Sequence, residues 1–238
     1  MSPRLDIELV HRGLARSRTA AQAAIAAGTV RVNGVAATKP AQQVSDADVL
    51  DLSASDPWVS RAAHKLIGAL DDSGTQVPAR VLDAGASTGG FSQVCLARGA
   101  QRVYAVDVGH DQLAGQVRDD PRVRVWERTN LRDLTLDHVE GEPVDLVVAD
   151  VSFISLRLLL GPLDAVLAPD GVALLLVKPQ LEVGRGGLDD HGVVRDPRLR
   201  EQSVQAVSAA AGALGRPTVW TGTSRVPGES GNLEFFLK

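Results

Sequence analysis

The sequence has too little cysteine and too few long apolar runs for several classes of protein. Cys95 is the only cysteine, so the chain can form neither an intramolecular disulfide bond nor a metal site built from several cysteines. No apolar run approaches the roughly 20 residues that a membrane-spanning helix needs. Residues 1–14 carry charges where a signal peptide needs an apolar core. These absences predict a cytoplasmic protein with no membrane partner and no metal site.

A surplus of positive charge is also missing, because the formal net charge is -4. Proteins that bind nucleic acid usually carry a basic surplus, so any RNA site in this chain has to be a local patch. The composition, with 44% hydrophobic and 23% charged residues, is typical of an ordinary folded protein. A length of 238 residues exceeds one average domain and suits a small module followed by a larger one.

The first module, residues 1–53, is predicted to combine two helices with a small sheet. An amphipathic helix over residues 5–14 precedes Ser17, which caps an alanine-rich helix that stops at Gly28. The pair Asn33-Gly34 is a strong signal for a tight turn between two strands. The predicted strands of this α+β module are 29–32, 35–37 and 49–52.

Residues 54–59 are predicted to be a linker, because Pro57 interrupts regular structure and the residues before it have no apolar periodicity. In residues 60–238 apolar strands alternate with helical segments, which is the signature of a parallel sheet. The predicted strands are 81–82, 103–106, 123–126, 144–149, 172–177, 218–221 and 233–237, with a last long helix over 197–214. The expected fold is an α/β, Rossmann-like sheet of seven strands with an antiparallel last strand.

A loop of small residues follows the first strand of this sheet, and it is predicted to bind a cofactor. Glycine at the start of a helix lets the backbone approach a ligand closely. The spacing of Gly85 and Gly89 differs from the dinucleotide pattern, which favours S-adenosylmethionine over a nicotinamide or flavin cofactor. The loop residues predicted to bind the cofactor are Asp83, Gly85, Ser87, Thr88, Gly89, Gly90 and Phe91.

Polar residues after other strands are predicted to complete the cofactor site. Asp107 ends the second strand, where a carboxylate can accept hydrogen bonds from both ribose hydroxyls of a nucleoside. Asp83 is expected to face the amino-acid portion of the cofactor and Asn130 to frame its adenine, while Asp150 also borders the site. The alternative is that the acids only cap helices and the glycines only make turns. The cofactor site is the favoured interpretation, because Asp107 at the end of the second strand accompanies the glycine loop after the first strand.

Four residues are the candidate catalytic groups: Lys65, Asp150, Lys178 and Glu234. Asp150 and Lys178 end apolar strands, at the edge where open α/β sheets bind ligands. A ribose 2'-hydroxyl is a weak acid, so its attack on a methyl sulfonium needs a group that removes or orients its proton. Lys178 is the predicted group, although proton removal and simple orientation both stay open. The alternative of surface ion pairs fits Lys65 and Glu234 taken singly, but it does not fit charges that end buried strands.

Six stretches, residues 12–18, 60–66, 83–91, 145–156, 177–180 and 231–236, together carry a family resemblance over nearly the whole chain. The sequence resembles the TlyA rRNA methyltransferases, often labelled haemolysins, within the FtsJ-like class of ribose 2'-O-methyltransferases. The resemblance implies a methyltransferase sheet, a Lys-Asp-Lys-Glu catalytic tetrad at the four candidate residues, and S-adenosylmethionine as methyl donor.

The resemblance also implies a substrate, the ribose of a cytidine in large-subunit rRNA. Longer members of the family also modify small-subunit rRNA. Because this chain ends four residues past Glu234, it resembles the shorter type, for which the large subunit is the expected target.

The N-terminal module is similar to the alpha-L RNA-binding module found in a small-subunit ribosomal protein and in several pseudouridine synthases. By that resemblance Arg12, Arg16, Arg18 and Arg31 contact phosphates of rRNA or of a ribosomal subunit. The alternative is a solvated helix face, but arginines concentrated in an acidic protein favour RNA. No obligatory protein partner is expected.

Three other functions fit parts of the sequence less well. A base methyltransferase would share the cofactor loop, but Asp150 is followed by Val151-Ser152-Phe153 rather than by the paired prolines and aromatic residue of amino-directed enzymes. A membrane-lysing protein, as the haemolysin label suggests, finds no support in a chain without a spanning run. An RNA-binding assembly factor without activity would not need the tetrad.

Overall fold

The computed structural model describes residues 3–52 and 56–238 of the chain. They belong to two compact units, of which the first ends at Pro57 and the second begins at Trp58. Residues 54 and 55 of the linker expected over 54–59 lie outside the described residues. Trp58 and Val59 pack against the apolar core of the second unit, so they belong to that unit.

The first unit consists of two helices and three short antiparallel strands. They are α1 (Leu5–His11), α2 (Arg18–Ala26), β1 (Val30–Val32), β2 (Val35–Ala36) and β3 (Leu50–Leu52), with the strands in the order β2-β1-β3. The side chain of Ser17 accepts a hydrogen bond from the Ala20 N–H, which confirms the predicted cap of α2. The core of this unit is formed by Leu5, Leu9, Ala21, Ile25, Val30, Val32, Ala37, Val44 and Leu50.

Helix α1 ends three residues earlier than the sequence pattern predicted. Gly13 has a φ of 72°, in the left-handed region, and the N–H groups of Leu14 and Ala15 turn back to the Leu9 carbonyl. This arrangement terminates a helix, so the expected extension to Leu14 was wrong. The predicted turn at Asn33-Gly34 is confirmed, because both residues have the positive φ angles, 51° and 81°, that a tight hairpin turn requires.

The second unit contains thirteen helices and strands within residues 62–237. They are α3 (Ala62–Ser73), β4 (Arg80–Ala84), α4 (Gly90–Ala97), β5 (Arg102–Val106), α5 (Gly115–Arg118), β6 (Val123–Trp126), β7 (Val144–Ala149), α6 (Leu160–Asp164), β8 (Leu167–Val177), α7 (Pro179–Glu182), α8 (Pro197–Ala213), β9 (Thr221–Thr223) and β10 (Phe235–Leu237). Short 3-10 helices are also present at Leu131–Asp133, Leu136–Val139, Leu156–Leu158 and Arg185–Gly187.

The strands form one seven-stranded sheet in the order β6-β5-β4-β7-β8-β10-β9. The neighbouring strands from β6 to β8 pair in parallel, and β10 is antiparallel to both β8 and β9. This confirms the predicted α/β fold, the number of strands and the antiparallel last strand. The order itself is a finding of the structure.

Apolar side chains cover both faces of this sheet. Along β4, Val81 packs with α3 and α4 on one face, whereas Leu82 and Ala84 pack on the other face with α6 and α8. Parallel strands that are covered on both faces are open only at their ends. The carboxyl ends of β4, β5, β7 and β8 are therefore the place where this sheet can present polar residues to a ligand.

Several strands differ from the predicted bounds by one or two residues at an end, such as β4, predicted at 81–82, and β10, predicted at 233–237. The differences are larger for β8 and β9. β8 begins at Leu167, five residues before the predicted start, because Leu167 pairs with Val144 ahead of a shift in register. β9 lies at Thr221–Thr223 instead of 218–221, since its pairing with β10 determines which of its residues are in the ladder. In both cases the partner strand decided the bounds, and local composition did not.

Candidate active site

The loop between β4 and α4 lies at the carboxyl edge of the sheet, and its backbone requires glycine at two positions. Gly85 and Gly89 have φ angles of 84° and 92°, in the left-handed region that side chains rarely adopt. A Cβ atom at Gly85 would lie 2.8 Å from the carbonyl oxygen of Asp150. The loop therefore runs directly against the residue that follows β7.

Asp107 follows β5, and two backbone N–H groups hold its carboxylate. Ser87 donates to Oδ2 at 2.8 Å, and Gly109 donates to Oδ1 at 2.7 Å. A carboxylate has about four acceptor sites, so each oxygen keeps one for a ligand. Asp107 is thus fixed in orientation, and each of its carboxylate oxygens can still accept a hydrogen bond from a ribose hydroxyl, which is the role predicted from the sequence.

A cavity of about 590 Å³, which we call the Asp107 cavity, opens beside this carboxylate. Its lining includes Gly85, Ser87, Asp107, Val108, Gln112, Asn130, Arg132, Asp150, Ser152 and Phe153. Asn130 also accepts a hydrogen bond from the Arg132 N–H at 3.1 Å and so caps a short helix. The structure thus places Asp107 and Asn130 in the same cavity, as expected of two residues that contact one nucleoside.

A second cavity, the Lys178 cavity, has a volume of about 530 Å³ and is lined by all four candidate catalytic residues. Thr88, Gly90 and Phe91 of the glycine loop also line it. The two cavities share Gly85, Ser87, Asp150, Ser152 and Phe153. A ligand that extends from Asp107 past Asp150 would therefore reach the candidate catalytic residues.

The four candidate catalytic residues come together in two linked ion pairs. Lys65 Nζ lies 2.6 Å from Glu234 Oε2, and Lys178 Nζ lies 2.7 Å from Asp150 Oδ1. Asp150 Oδ2 also lies 3.8 Å from Lys65 Nζ, so this carboxylate joins the two pairs. Two ammonium groups thus face two carboxylates, which leaves the cluster without net charge.

The two pairs differ in their access to solvent. The side chains of Lys65 and Glu234 are 6% and 2% exposed, whereas those of Lys178 and Asp150 are 11% and 14% exposed. Burying charged groups is costly even when they are paired, so neither pair is an ordinary surface ion pair. Lys65 and Glu234 form the more buried part of the cluster, and Lys178 and Asp150 form the more exposed part.

Residues that the sequence reasoning did not single out support Glu234. A Cβ atom at Gly228 would lie 2.7 Å from Glu234 Oε1, so this glycine leaves room for the carboxylate. Asn232 is buried; it accepts from the Val194 N–H and donates to the Gly192 carbonyl, which ties a loop to the segment before β10. Asn232 lies in the stretch 231–236 that carries the resemblance, two positions before Glu234, whereas Gly228 lies outside that stretch.

Asp83 has a different environment from the other acids of the site. Its side chain is fully buried in β4, its Oδ2 accepts from the Ser92 hydroxyl at 2.6 Å, and its Oδ1 has no hydrogen-bond partner among the described residues. Burial raises the pKa of Asp83 to about 7, and the nearby carboxylates of Asp150 and Asp107 add to this rise. Asp83 and Gly89 are absent from the lining of both cavities, so their contact with a cofactor stays a prediction.

The buried carboxyl of Asp83 should make stability depend on pH. Because its pKa in the folded chain, about 7, is above its ordinary value of 3.8, the folded state holds this proton more tightly than the unfolded state. The stabilising contribution is complete below the ordinary value and disappears as pH rises through about 7. We expect Asp83→Asn to raise the Tm of the ligand-free protein relative to the unsubstituted chain more at about pH 8 than at about pH 5.

Thermal unfolding of both proteins at the two pH values measures this difference. Asp137→Asn, at an exposed aspartate far along the chain, serves as a control that should show no such dependence. An equal Tm difference at both pH values would contradict the raised pKa.

Two of the four arginines expected to bind RNA are engaged within the first unit. Arg12 donates to the Glu8 carboxylate at 2.7 Å and to the carbonyls of Asp48 and Ser45 at 2.6 and 2.8 Å, so its guanidinium ties α1 to a distant loop. Arg18 donates to Asp6, whose fully buried carboxylate also binds Arg4. These side chains stabilise the module.

Arg18 is also exposed, at 55% of its side chain, but it is paired with Asp6, whereas Arg16 and Arg31 form no ion pair among the described residues. Both are exposed, and Arg31 donates to the Gly34 carbonyl at 2.9 Å. Among the four arginines that the sequence nominated, these two are the better candidates for contact with phosphate. Sequence reasoning weights all four equally, because two of the three partners of Arg12 come from residues more than thirty positions away.

Phe153 is a residue of the site that the sequence reasoning mentioned but did not assign to binding. Its side chain is 99% exposed, and its φ of 66° lies in the left-handed region that non-glycine residues rarely adopt. It borders both cavities. An exposed aromatic ring at this point has the chemistry to stack on a nucleobase. The exposure of its side chain is what marks Phe153 as a candidate for binding, and this exposure can be seen only in the folded chain.

Comparison with known proteins agrees with this division into two units. The profile of the FtsJ-like methyltransferase family matches residues 58–237, and the profile of the S4 domain matches residues 3–50. The chain is 53% identical to the 16S/23S rRNA (cytidine-2'-O)-methyltransferase TlyA of Mycobacterium tuberculosis, over 98% of this chain and 88% of that protein.

Two further relatives carry the hemolysin name. Hemolysin A of Brachyspira hyodysenteriae is 38% identical over 98% of this chain and 97% of that protein. A solved structure from Streptococcus thermophilus, described as a hemolysin, is 36% identical, with a TM-score of 0.77, over 99% of this chain and 87% of that one.

The hemolysin name raises the question of membrane spans. Within residues 3–52 and 56–238, none of the helices has both the length and the apolar content that crossing a bilayer requires. The family profile covers most of the chain, and the relative from M. tuberculosis matches almost all of it at high identity. The chain therefore belongs to the FtsJ-like methyltransferase family and, within it, to the TlyA proteins, with an S4 domain at its amino-terminal end.

Proposed function

We propose that this chain transfers a methyl group from S-adenosylmethionine to the ribose 2'-oxygen of a cytidine in rRNA. The observation that carries the proposal is the arrangement of Lys178 and Asp150. They form a short ion pair at the point where the Asp107 cavity meets the Lys178 cavity. A donor held in the first cavity and a hydroxyl held in the second would meet beside Lys178.

The residues present fit S-adenosylmethionine. Asp107 keeps an acceptor on each oxygen for the two ribose hydroxyls, and Asn130 lies in the same cavity for the adenine. Gly85, which has no side chain, lines both cavities, and Thr88 and Gly90 line the next cavity, where the methionyl part would lie. When bound, the cofactor supplies an electrophilic methyl group on a sulfonium.

Lys178 is the residue that acts on the substrate hydroxyl in this proposal. Its Nζ is held by the Asp150 carboxylate at 2.7 Å and by the Ser152 hydroxyl at 2.9 Å, so the ammonium group has a defined position. An ammonium group in that position can orient the 2'-hydroxyl for in-line attack by donating to its oxygen, and only the neutral amine form of Lys178, after it has lost a proton to solvent, can take the hydroxyl proton. Lys65, which is paired with Glu234, lies 3.8 Å from Asp150 Oδ2 on the buried side and attracts this carboxylate.

The proposed substrate follows from the S4 domain and from the relatives. S4 is the RNA-binding module of this architecture, and the M. tuberculosis relative is named for cytidine 2'-O-methylation of both 16S and 23S rRNA. We propose large-subunit rRNA as the main target. Activity on small-subunit rRNA is the second arm of the test, because the relative that is 53% identical carries both substrates in its name.

The experiment maps methylated nucleotides in both rRNAs after incubation of purified ribosomal subunits with the protein and S-adenosylmethionine. A 2'-O-methyl group blocks alkaline cleavage of the following phosphodiester bond, so the modified cytidine should appear as a protected position. Methylation that leaves every linkage sensitive to alkali would indicate a base methyltransferase. Absence of any methylation on either subunit would overturn the proposal.

Asp107→Ala should weaken S-adenosylmethionine binding, because it removes the acceptor for two ribose hydroxyls. Hydrogen bonds to a charged group contribute about 1.5–3 kcal/mol, so the Kd should rise by about ten- to one hundredfold. Calorimetric titration with the cofactor measures it. Asp137→Ala, at an exposed position outside both cavities, is the matched control and should leave the Kd unchanged. An unchanged Kd for Asp107→Ala would show that the cofactor lies elsewhere.

A further inference from the structure

Glu182 is a buried carboxylate close to the tetrad for which the reaction has no direct use. It is the last residue of α7, the short helix that begins directly after Lys178. Its side chain is only 2% exposed, although glutamate is almost never buried without partners. It lines neither the Asp107 cavity nor the Lys178 cavity. Its role is therefore to be found in the groups that it binds.

The hydrogen-bond partners of Glu182 within residues 56–238 all come from one segment, residues 151–157, which follows Asp150. The Ser155 hydroxyl donates to Oε2 at 2.6 Å, the Leu156 N–H donates to Oε1 at 2.8 Å, and the Arg157 guanidinium donates to Oε2 at 3.2 Å. Both carboxylate oxygens are therefore used. Charge-assisted bonds of this kind are about twice as strong as neutral ones.

The same segment is tied to the other end of α7 by the tetrad itself. Lys178 Nζ donates to the Ser152 hydroxyl at 2.9 Å. Lys178 precedes α7 and Glu182 ends it, so a single turn of helix bonds to residues 151–157 at two places. Pro179 at the first position of α7 gives this turn a fixed start, since its φ is already helical.

The part of the segment between the two ties faces the cavities. Ser152 and Phe153 line both of them, and Phe153 has a strained left-handed backbone, with a φ of 66°. Such a conformation persists only where the surroundings over-determine it. The bonds from Glu182 fix the chain just beyond Phe153, and the bond from Lys178 fixes it just before.

We infer that Glu182 is a positioning residue for methyl transfer, acting through Ser152 on the ammonium group of Lys178. This inference rests on the proposed function, because it assigns Lys178 to the substrate hydroxyl. Glu182 holds residues 155–157, the segment then holds Ser152, and Ser152 restrains the direction in which Lys178 Nζ points. Without the bond to Ser152, Lys178 Nζ would be held only by its ion pair with Asp150, and it could change direction about that single contact.

The expected loss of kcat in Glu182→Ala follows from the precise geometry that displacement reactions require. A misplacement of about 1 Å in a reacting group can cost about one hundredfold in rate. Removal of the hydroxyl bond at one of two contacts displaces Nζ by less than that, so we expect about a tenfold loss of kcat from Glu182→Ala. Cofactor Kd should change by less than about threefold, because the Asp107 carboxylate is held by Ser87 and Gly109 and not by Glu182.

A purely structural role is the competing explanation, in which Glu182 only caps the 3-10 helix at Leu156–Leu158. Loss of a cap lowers Tm and leaves kcat unchanged at temperatures where the variant is folded. A positioning role lowers kcat there, and it couples energetically to Ser152. A double-mutant cycle separates the two explanations.

The experiment uses the full chain with ribosomal subunits and S-adenosylmethionine and compares Glu182→Ala, Ser152→Ala and the double variant. We measure kcat, KM for the subunit, cofactor Kd and Tm, with kinetics well below the lowest Tm. Each single variant should lose about tenfold in kcat, and the double variant should lose little more than either one. Glu201→Ala, at an exposed glutamate on α8 that accepts a hydrogen bond from Gln205, is the control and should behave as the unsubstituted chain.

Two results would overturn the inference. One is an unchanged kcat in Glu182→Ala, and the other is a double variant whose loss equals the product of the single losses. If Glu182→Ala does not fold, Glu182→Gln, which keeps the size and one acceptor oxygen, is put through the same cycle with the same criteria. Failure of the proposed function looks different, because the unsubstituted chain would then methylate neither subunit.

Discussion

Lys178→Ala is expected to lower kcat for rRNA methylation by about 10²- to 10⁴-fold, the range over which a positioned acid–base group accelerates a reaction. The loss follows from the position of Nζ, which lies 2.7 Å from Asp150 where the two cavities meet. Alanine leaves no group there to orient the 2'-hydroxyl or to take its proton. Single-turnover methylation of the ribosomal subunit at saturating cofactor measures the effect.

Cofactor affinity should survive this substitution. Lys178 does not line the Asp107 cavity, where the nucleoside part of the cofactor would lie, and the acceptors of Asp107 are set by Ser87 and Gly109. Lys238→Ala, at a lysine whose Nζ donates to the Ser73 carbonyl, is the matched control and should retain full activity. A Kd for S-adenosylmethionine that rises as far as kcat falls would place Lys178 at the cofactor and not at the substrate.

Removal of the first unit is expected to weaken rRNA binding by about one hundredfold or more, because it removes several phosphate contacts at once. The shortened chain should begin at Trp58, since Trp58 and Val59 pack in the core of the second unit. Its cofactor Kd should stay within about threefold of that of the full chain, because the cofactor residues all follow Trp58. Filter binding to large-subunit rRNA and calorimetry with the cofactor measure the two affinities.

Charge reversal in the full chain tests the same surface without a deletion. Arg16→Glu and Arg31→Glu change exposed side chains, and the removal of each phosphate contact should flatten the salt dependence of RNA binding by about one unit of slope. Arg12→Glu would break its bonds to Glu8, Ser45 and Asp48, so its expected effect is a lower Tm. If the second unit alone bound and methylated the subunit as well as the full chain does, the first unit would have no part in RNA binding.

Local patterns in the sequence were sufficient to predict the class of fold. Continuous apolar runs mark strands that are covered on both faces, and the glycines at 85 and 89 mark a loop whose backbone adopts positive φ. The turn at Asn33-Gly34 and the cap at Ser17 were predictable for the same reason, since neighbouring residues determine both. Each of these features depends on interactions within a few residues.

The members of the tetrad were also identifiable from the sequence, but their pairing was not. Asp150 and Lys178 end buried strands, and an apolar run that stops at a charge is visible in the sequence itself. Lys65 and Glu234 lie 169 positions apart, and only the tertiary fold brings their charges to 2.6 Å. Which lysine is more buried and which is more exposed is a property of the folded chain.

Tertiary structure alone decided the contacts that join distant segments. The order of the strands and the bounds of β9 follow from pairing between strands that no local pattern encodes. Arg12 reads as a candidate phosphate ligand in the sequence, yet its guanidinium is bonded to a loop more than thirty residues away. The sequence analysis did not single out Glu182, yet three donors from residues 155–157 bind its carboxylate. The sequence by itself determined which residues are candidates for the chemistry, because strand ends, turns and caps are local, whereas the fold decided which of these residues meet, because side-chain partners are chosen by packing.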